Sequence, residues 1–99
     1  MLTIKYKKVN DIIEYIKLSG HTEYEELGKD IVCAAASSIY ITTINSILSF
    51  DKDSISYNES NEVINIKKDS ITNKLLENML NMMKELEGKY KKNIKIMEE

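Results

Sequence analysis

The stretch that decides the fold is DIVCAAASSIYITTINSIL, residues 30 to 48, in which no charged residue follows the opening aspartate. Asp30 is a favourable N-cap, so the stretch predicts a helix from Asp30 to about Leu48. Apolar residues lie almost all round this helix, which is typical of a helix inside a core. Between Ile31 and Phe50, seven serine, threonine and asparagine residues are expected to make it too polar for a membrane span.

The residues before this helix predict two strands. Leu2, Ile4 and Tyr6 alternate with polar residues, which is the period of a half-buried strand. Asn10-Asp11 is a plausible hairpin turn, and Ile12 to Leu18 is rich in β-branched residues. Residues 19–28 break the pattern with two glycines and are predicted to form a loop.

The residues after the helix predict three more strands and a second helix. Short strands are expected at 54–57 and 63–66, and a last one at 92–97. Ser70 is expected to cap an amphipathic helix that Gly88 ends. The order is β-β-α-β-β-α-β, so we expect a single α+β domain over residues 1–99, with two helices packed on a mainly antiparallel sheet.

Composition excludes several classes of function. Fourteen basic residues, all of them lysine, and sixteen acidic residues give a net charge of −2. Without arginine or a basic excess, nothing indicates direct nucleic-acid binding. The single cysteine excludes an internal disulfide and a cysteine-rich metal site, and we expect no metal or cofactor. The first residues lack the order of a signal peptide, so a cytoplasmic protein without a membrane partner is expected.

The cysteine and the single histidine lie close together in SGHTEYEELGKDIVCAAAS, residues 19 to 37. If Asp30 is the cap, Cys33 lies in the first helical turn, where unpaired N–H groups and the helix dipole favour a thiolate. A protonated His21 would lower the pKa of the thiol further and could return a proton to a leaving amine. At about 100° per residue, Asp30, Cys33 and Ser37 fall within about 60° of one helix face.

Each of these residues also has a purely structural explanation. A lone cysteine early in a buried helix is commonly a small core residue. His21 follows a glycine, where turn and cap residues are common, Asp30 is simplest as a cap, and Ser37 is ordinary in a helix. These residues alone indicate an α+β domain with a candidate Cys–His pair. An inert core cysteine and a thiol redox sensor remain as alternatives.

Three parts of this segment together resemble the signature of the ribosomal-processing cysteine proteases, the Prp family. They are Gly20-His21, the run GKDIVCAA from Gly28 to Ala35, and Ser37. The resemblance extends to the chain length, the strand–strand–helix opening and Tyr90 before the last strand. It implies a bacterial cysteine endopeptidase that removes the short N-terminal extension of a large-subunit ribosomal protein of the bL27 type. The cut falls after a phenylalanine and serves ribosome maturation.

The resemblance also implies a role for each matched residue. Cys33 matches the nucleophile and His21 the general base. Asp30 and Ser37 match positions that orient the site or contact the substrate. Gly20 matches a hinge that lets the loop move, so Gly20→Ala is expected to slow cleavage while changing stability little.

Partners follow from the same resemblance. The family implies a homodimer whose substrate is the ribosomal protein's N-terminal extension. The alternative is a non-catalytic, ribosome-associated interaction module that binds the same apolar segment, with Cys33 inert in the core.

Overall fold

The seven predicted elements are all present and in the predicted order. A computed structural model describes residues 1–20 and 27–99, and of residues 27–30 it describes the backbone. The elements are β1 (Leu2–Val9), β2 (Ile12–Ser19), α1 (Leu27–Phe50), β3 (Ile55–Tyr57), β4 (Glu62–Asn65), α2 (Ser70–Lys89) and β5 (Ile94–Glu98).

The five strands form one mixed sheet in the order β3-β4-β2-β1-β5. β1 and β2 form an antiparallel hairpin, and its turn residues Asn10 and Asp11 have φ of 53° and 64°. A two-residue hairpin turn of type I′ requires such left-handed values at both positions, and Asn and Asp tolerate them well. β4 pairs antiparallel with β2 and with β3, whereas β5 pairs in parallel with β1. The predicted α+β class and mainly antiparallel sheet are therefore confirmed.

The core lies between the sheet and the two helices. In β1 the alternate residues Leu2, Ile4 and Tyr6 are buried, as their spacing predicts. α1 and α2 pack against each other. The buried residues of α1 recur every three or four positions: Val32, Ala36, Tyr40, Ile44 and Ile47. This spacing marks the side of α1 that faces the core.

The start of α1 differs from the prediction. The helix begins at Leu27 and ends at Phe50, so it includes Gly28 and extends two residues beyond Leu48. A glycine in a helix costs only about 1 kcal/mol, which is too little to end a helix whose other turns are held in a core.

The ends of α2 also differ from the prediction. Asp69, and not Ser70, is the N-cap, because its side chain accepts a hydrogen bond from the Thr72 N–H at 2.8 Å. Gly88 lies inside the helix, which continues to Lys89. The N–H groups of Asn93 and Ile94 both donate to the carbonyl of Tyr90, so residues 91–93 form a turn. β5 therefore begins at Ile94 and not at residue 92 as predicted.

The segment Ile31–Phe50 is long and apolar enough, by length and composition, to cross a membrane. The prediction that the segment is too polar for a membrane span is therefore wrong by this criterion, because the hydropathy of its isoleucine, leucine and alanine residues outweighs that of its polar residues. The core helix of a soluble protein meets the same criterion, so the finding is weak evidence for a span. In this fold, one face of the segment packs in the core.

Candidate active site

Cys33 lies in the second turn of α1, as its seventh residue, and its side chain is half-buried. The prediction that it occupies the first turn is wrong, because α1 begins at Leu27. Only N–H groups at the very start of the helix lack intrahelical partners, and the effect of the helix dipole falls off within the first turn. The helix start therefore stabilises a Cys33 thiolate little, and a lowered thiol pKa needs another positive group nearby.

The position of Cys33 on the helix places it toward the core. Residues three, four and seven apart lie on one side of a helix, so Cys33 shares a face with Ala36, Ser37 and Tyr40. Ala36 and Tyr40 are buried, which identifies this as the core-facing side. Ser37, one turn after Cys33, is half-buried. The thiol and the Ser37 hydroxyl therefore lie on the same side of α1, at the boundary between core and surface.

Asp30 is the fourth residue of α1, so the prediction that it caps the helix is wrong. The backbone still places it on the arc of about 60° that it shares with Cys33 and Ser37. Its side chain lies outside the described residues. An orienting or substrate-contact role for Asp30 therefore stays a prediction.

Gly20 follows β2 directly and has a φ of 86°, in the left-handed region that favours glycine. A Cβ atom at this position would lie 2.4 Å from the carbonyl oxygen of Met1, closer than real Cβ atoms approach. The backbone would have to shift to admit any side chain. This argues against the expectation that Gly20→Ala changes stability only a little. The proposed hinge role of Gly20 stays a prediction.

His21 and the rest of the predicted loop up to Glu26 lie outside the described residues. The pairing of His21 with Cys33 is therefore still a prediction from the sequence. Among the described residues of the predicted loop, Ser19 ends β2, Gly20 follows it, and Leu27 and Gly28 belong to α1.

Tyr40 was not singled out from the sequence. It lies seven residues after Cys33 on the same helix face and is buried. The seven-residue spacing is visible in the sequence, but the burial of the hydroxyl appears only in the fold.

The fold and the site together define the class of protein. A half-buried cysteine on the core-facing side of the first helix, preceded in sequence by a strand and a Gly-His pair, is compatible with a small α+β cysteine peptidase. The family model for cysteine protease Prp matches residues 1–95. The chain therefore belongs to the Prp family of cysteine proteases.

Similar proteins agree with this assignment. The ribosomal processing cysteine protease Prp of Staphylococcus aureus is 30% identical over 95 residues, which cover 90% of this chain and 86% of the relative. The crystal structure of the S. aureus Prp protease with a substrate peptide has a TM-score of 0.87 at 22% identity, with both chains fully covered. A second S. aureus Prp structure, with a covalently linked product peptide, has a TM-score of 0.83 at 23% identity over the whole of both chains. These two structures show the same fold.

Proposed function

We propose that this chain removes the short N-terminal extension of the ribosomal protein bL27 by cutting after a phenylalanine. The observation that carries the proposal is the half-buried Cys33 on the core-facing side of α1, in a chain that the Prp family matches over residues 1–95. The S. aureus relative is named as a ribosomal processing cysteine protease, and one S. aureus structure holds a covalently linked product peptide. Both support a covalent route on a ribosomal protein.

The proposed reaction is acyl transfer through a thioester. The Cys33 thiolate attacks the scissile carbonyl carbon, a C–S bond forms, and the C–N bond of the peptide breaks. Protonated His21 gives its proton to the leaving amine. Water then attacks the thioester, a proton returns to His21, and the C–S bond breaks to release a carboxylic acid and regenerate the thiolate.

The charge needed to activate Cys33 is assigned to His21. Because Cys33 lies beyond the first turn, the helix dipole stabilises its thiolate little, and a protonated imidazole close to the sulfur would supply the missing stabilisation. A loop that carries the base would also complete the site when substrate binds. The exposed part of Cys33 is consistent with a reacting group and argues against the alternative of a non-catalytic module with an inert core cysteine.

The rate of alkylation by iodoacetamide tests whether Cys33 is activated. At pH 7 the folded chain is expected to react faster than the same chain unfolded in urea, because a cysteine with a lowered pKa has more thiolate. His21→Ala should bring the folded rate down to or below that of the unfolded chain. Mass spectrometry measures both rates. Slower alkylation of the folded wild-type chain would indicate a protected core cysteine and contradict the mechanism.

A homodimer is part of the proposal, with the outer face of the helix layer as its interface. α1 and α2 enclose a groove of about 270 Å³ on this face. Ile41 is 56% exposed and Met82 42%, and no charged residue occurs between Ile31 and Phe50. The α1 part of this face is uncharged and exposes apolar side chains, which suits a second copy of the chain that would present the same face in a two-fold symmetric dimer.

Ile41→Glu is expected to convert the dimer into a monomer at tens of micromolar, because it places a charge in an apolar interface. Light scattering gives the mass. Ile66→Glu is the matched control, since Ile66 is 55% exposed and lies outside the helix layer. A monomeric wild-type chain at this concentration, or an equal effect of both variants, would contradict the proposed interface.

We also propose that the protein works in the cytoplasm. The support is chemical: the proposed substrate is a ribosomal protein, and an active thiolate keeps its reduced form in a reducing compartment.

A further inference from the structure

Tyr40 carries a buried hydroxyl with unsatisfied hydrogen-bonding capacity. The residue is 7% exposed, and its hydroxyl oxygen has no hydrogen-bond partner among residues 1–20 and 27–99. A buried hydroxyl without a partner costs free energy that a phenylalanine at the same place would not. Burial raises the pKa of Tyr40 to about 12, so the hydroxyl keeps its proton and can donate a hydrogen bond.

The hydroxyl lies on the side of α1 that carries the nucleophile. Tyr40 follows Cys33 by seven residues, which is about 20° around the helix and about 10 Å along its axis. Long side chains in a helix lean toward its N-terminus, so the Tyr40 ring leans toward the end of the helix that carries Cys33. Half-buried Ser37 lies between the two along the same face.

The β3–β4 hairpin acts electrostatically on the Tyr40 hydroxyl. Burial is the main cause of the raised pKa of Tyr40, and the charges of Glu62, the first residue of β4, and Tyr57, the last residue of β3, raise it further. β3 is a three-residue edge strand, and Tyr57 is 57% exposed. Exposed side chains change rotamer within nanoseconds, so the inference requires movement of surface side chains such as Tyr57 for a ligand to reach the buried hydroxyl.

We propose that Tyr40 is a substrate-binding residue, whose hydroxyl donates a hydrogen bond to a carbonyl oxygen of the peptide bound along α1, within about three residues of the scissile bond. An extended peptide advances about 3.3 Å per residue, so three residues span the axial distance of about 10 Å between the backbones of Cys33 and Tyr40, and the lean of the Tyr40 ring shortens the distance to its hydroxyl. The inference rests on the proposed function, because it needs a peptide whose scissile carbonyl lies at Cys33. The peptide carbonyl would be the partner that the hydroxyl lacks among the described residues.

Tyr40→Phe tests the inference, because it removes only the hydroxyl. With a peptide that carries the bL27 extension, we expect KM to rise about three- to tenfold, the usual effect of one neutral hydrogen bond, while kcat stays within about twofold. Thermal unfolding should show a Tm at least equal to that of the wild type. Tyr15→Phe is the matched control, because the Tyr15 hydroxyl already donates to Glu99 at 2.6 Å and is exposed. Its KM should not change.

The outcomes separate this inference from the function on which it rests. Cleavage by the wild type with the same KM in Tyr40→Phe would overturn the role of Tyr40 and leave the proposed function standing. A lowered Tm in Tyr40→Phe with unchanged KM would overturn it as well, since the hydroxyl would then have a structural partner. Absence of cleavage by the wild type would reject the proposed function, and with it the inference.

Discussion

Replacing Cys33 by alanine is expected to reduce cleavage of the ribosomal extension by about 10⁴-fold or more, because no other group on this face of α1 can form the thioester. Stability should change by less than about 1 kcal/mol, since the side chain is half-buried and alanine suits a helix interior. A discontinuous assay of the peptide products gives the rate, and circular dichroism gives the Tm.

The conservative variant Cys33→Ser is the control for this result. A serine hydroxyl keeps the size of the group but is a far weaker nucleophile without a base matched to it, so this variant should be equally inactive. If Cys33→Ala retained cleavage, or if it lost activity together with its fold, the cysteine would be a packing residue and the proposed mechanism would be wrong.

Gly20→Ala is expected to destabilise the chain by about 2 kcal/mol or more, which is a drop in Tm of about 8 °C or more. The reasons are the φ of 86° and the 2.4 Å approach of the added Cβ to the Met1 carbonyl oxygen. Gly88→Ala is the matched control. Apart from its own helix backbone and chain neighbours, no atom of the described residues lies within 4 Å of a Cβ at Gly88, which is inside α2, so the same substitution there should stabilise by about 0.5–1 kcal/mol.

Opposite shifts of Tm in these two variants would show that Gly20 is needed by the end of β2 whether or not it is a hinge. Equal stability of Gly20→Ala and the wild type would contradict this account, because it would mean that the backbone adapts at no cost. In that case any loss of activity in Gly20→Ala would support the hinge.

The parts of the fold that were predicted from the sequence depend on local patterns. The alternation of Leu2, Ile4 and Tyr6 predicts a strand with one buried face, and β1 has it. The uncharged run after Asp30 predicts a long core helix, and α1 is one. The Asn10-Asp11 pair predicts the hairpin turn because these two residue types tolerate a positive φ.

The parts of the fold that were missed depend on contacts between residues distant in the sequence, or on a choice between two residues that suit the same position equally well. Asp69 and Ser70 are both good N-caps, and only the contact with the Thr72 N–H distinguishes them. The constraint on Gly20 comes from Met1, which is adjacent only once β1 and β2 pair.

The residues of the candidate site likewise divide into those that local sequence patterns predict and those that only the fold reveals. The sequence singled out Cys33 and Ser37, and the structure confirms that they share one side of α1. The helix begins at Leu27, however, and not at Asp30, where a thiolate in the first turn would require it. Tyr40 was missed because the burial of its hydroxyl comes from the packing of α1 in the core, which no local pattern encodes.

The most direct test of the central claim is intact-mass spectrometry of bL27 carrying its N-terminal extension, after incubation with the unmodified chain. The account predicts that the extended protein loses its N-terminal segment at a single bond after a phenylalanine, and that a thioester adduct on Cys33 is trapped when the reaction is quenched in acid. An unchanged mass of the extended protein, with folded and reduced chain in excess, would contradict it.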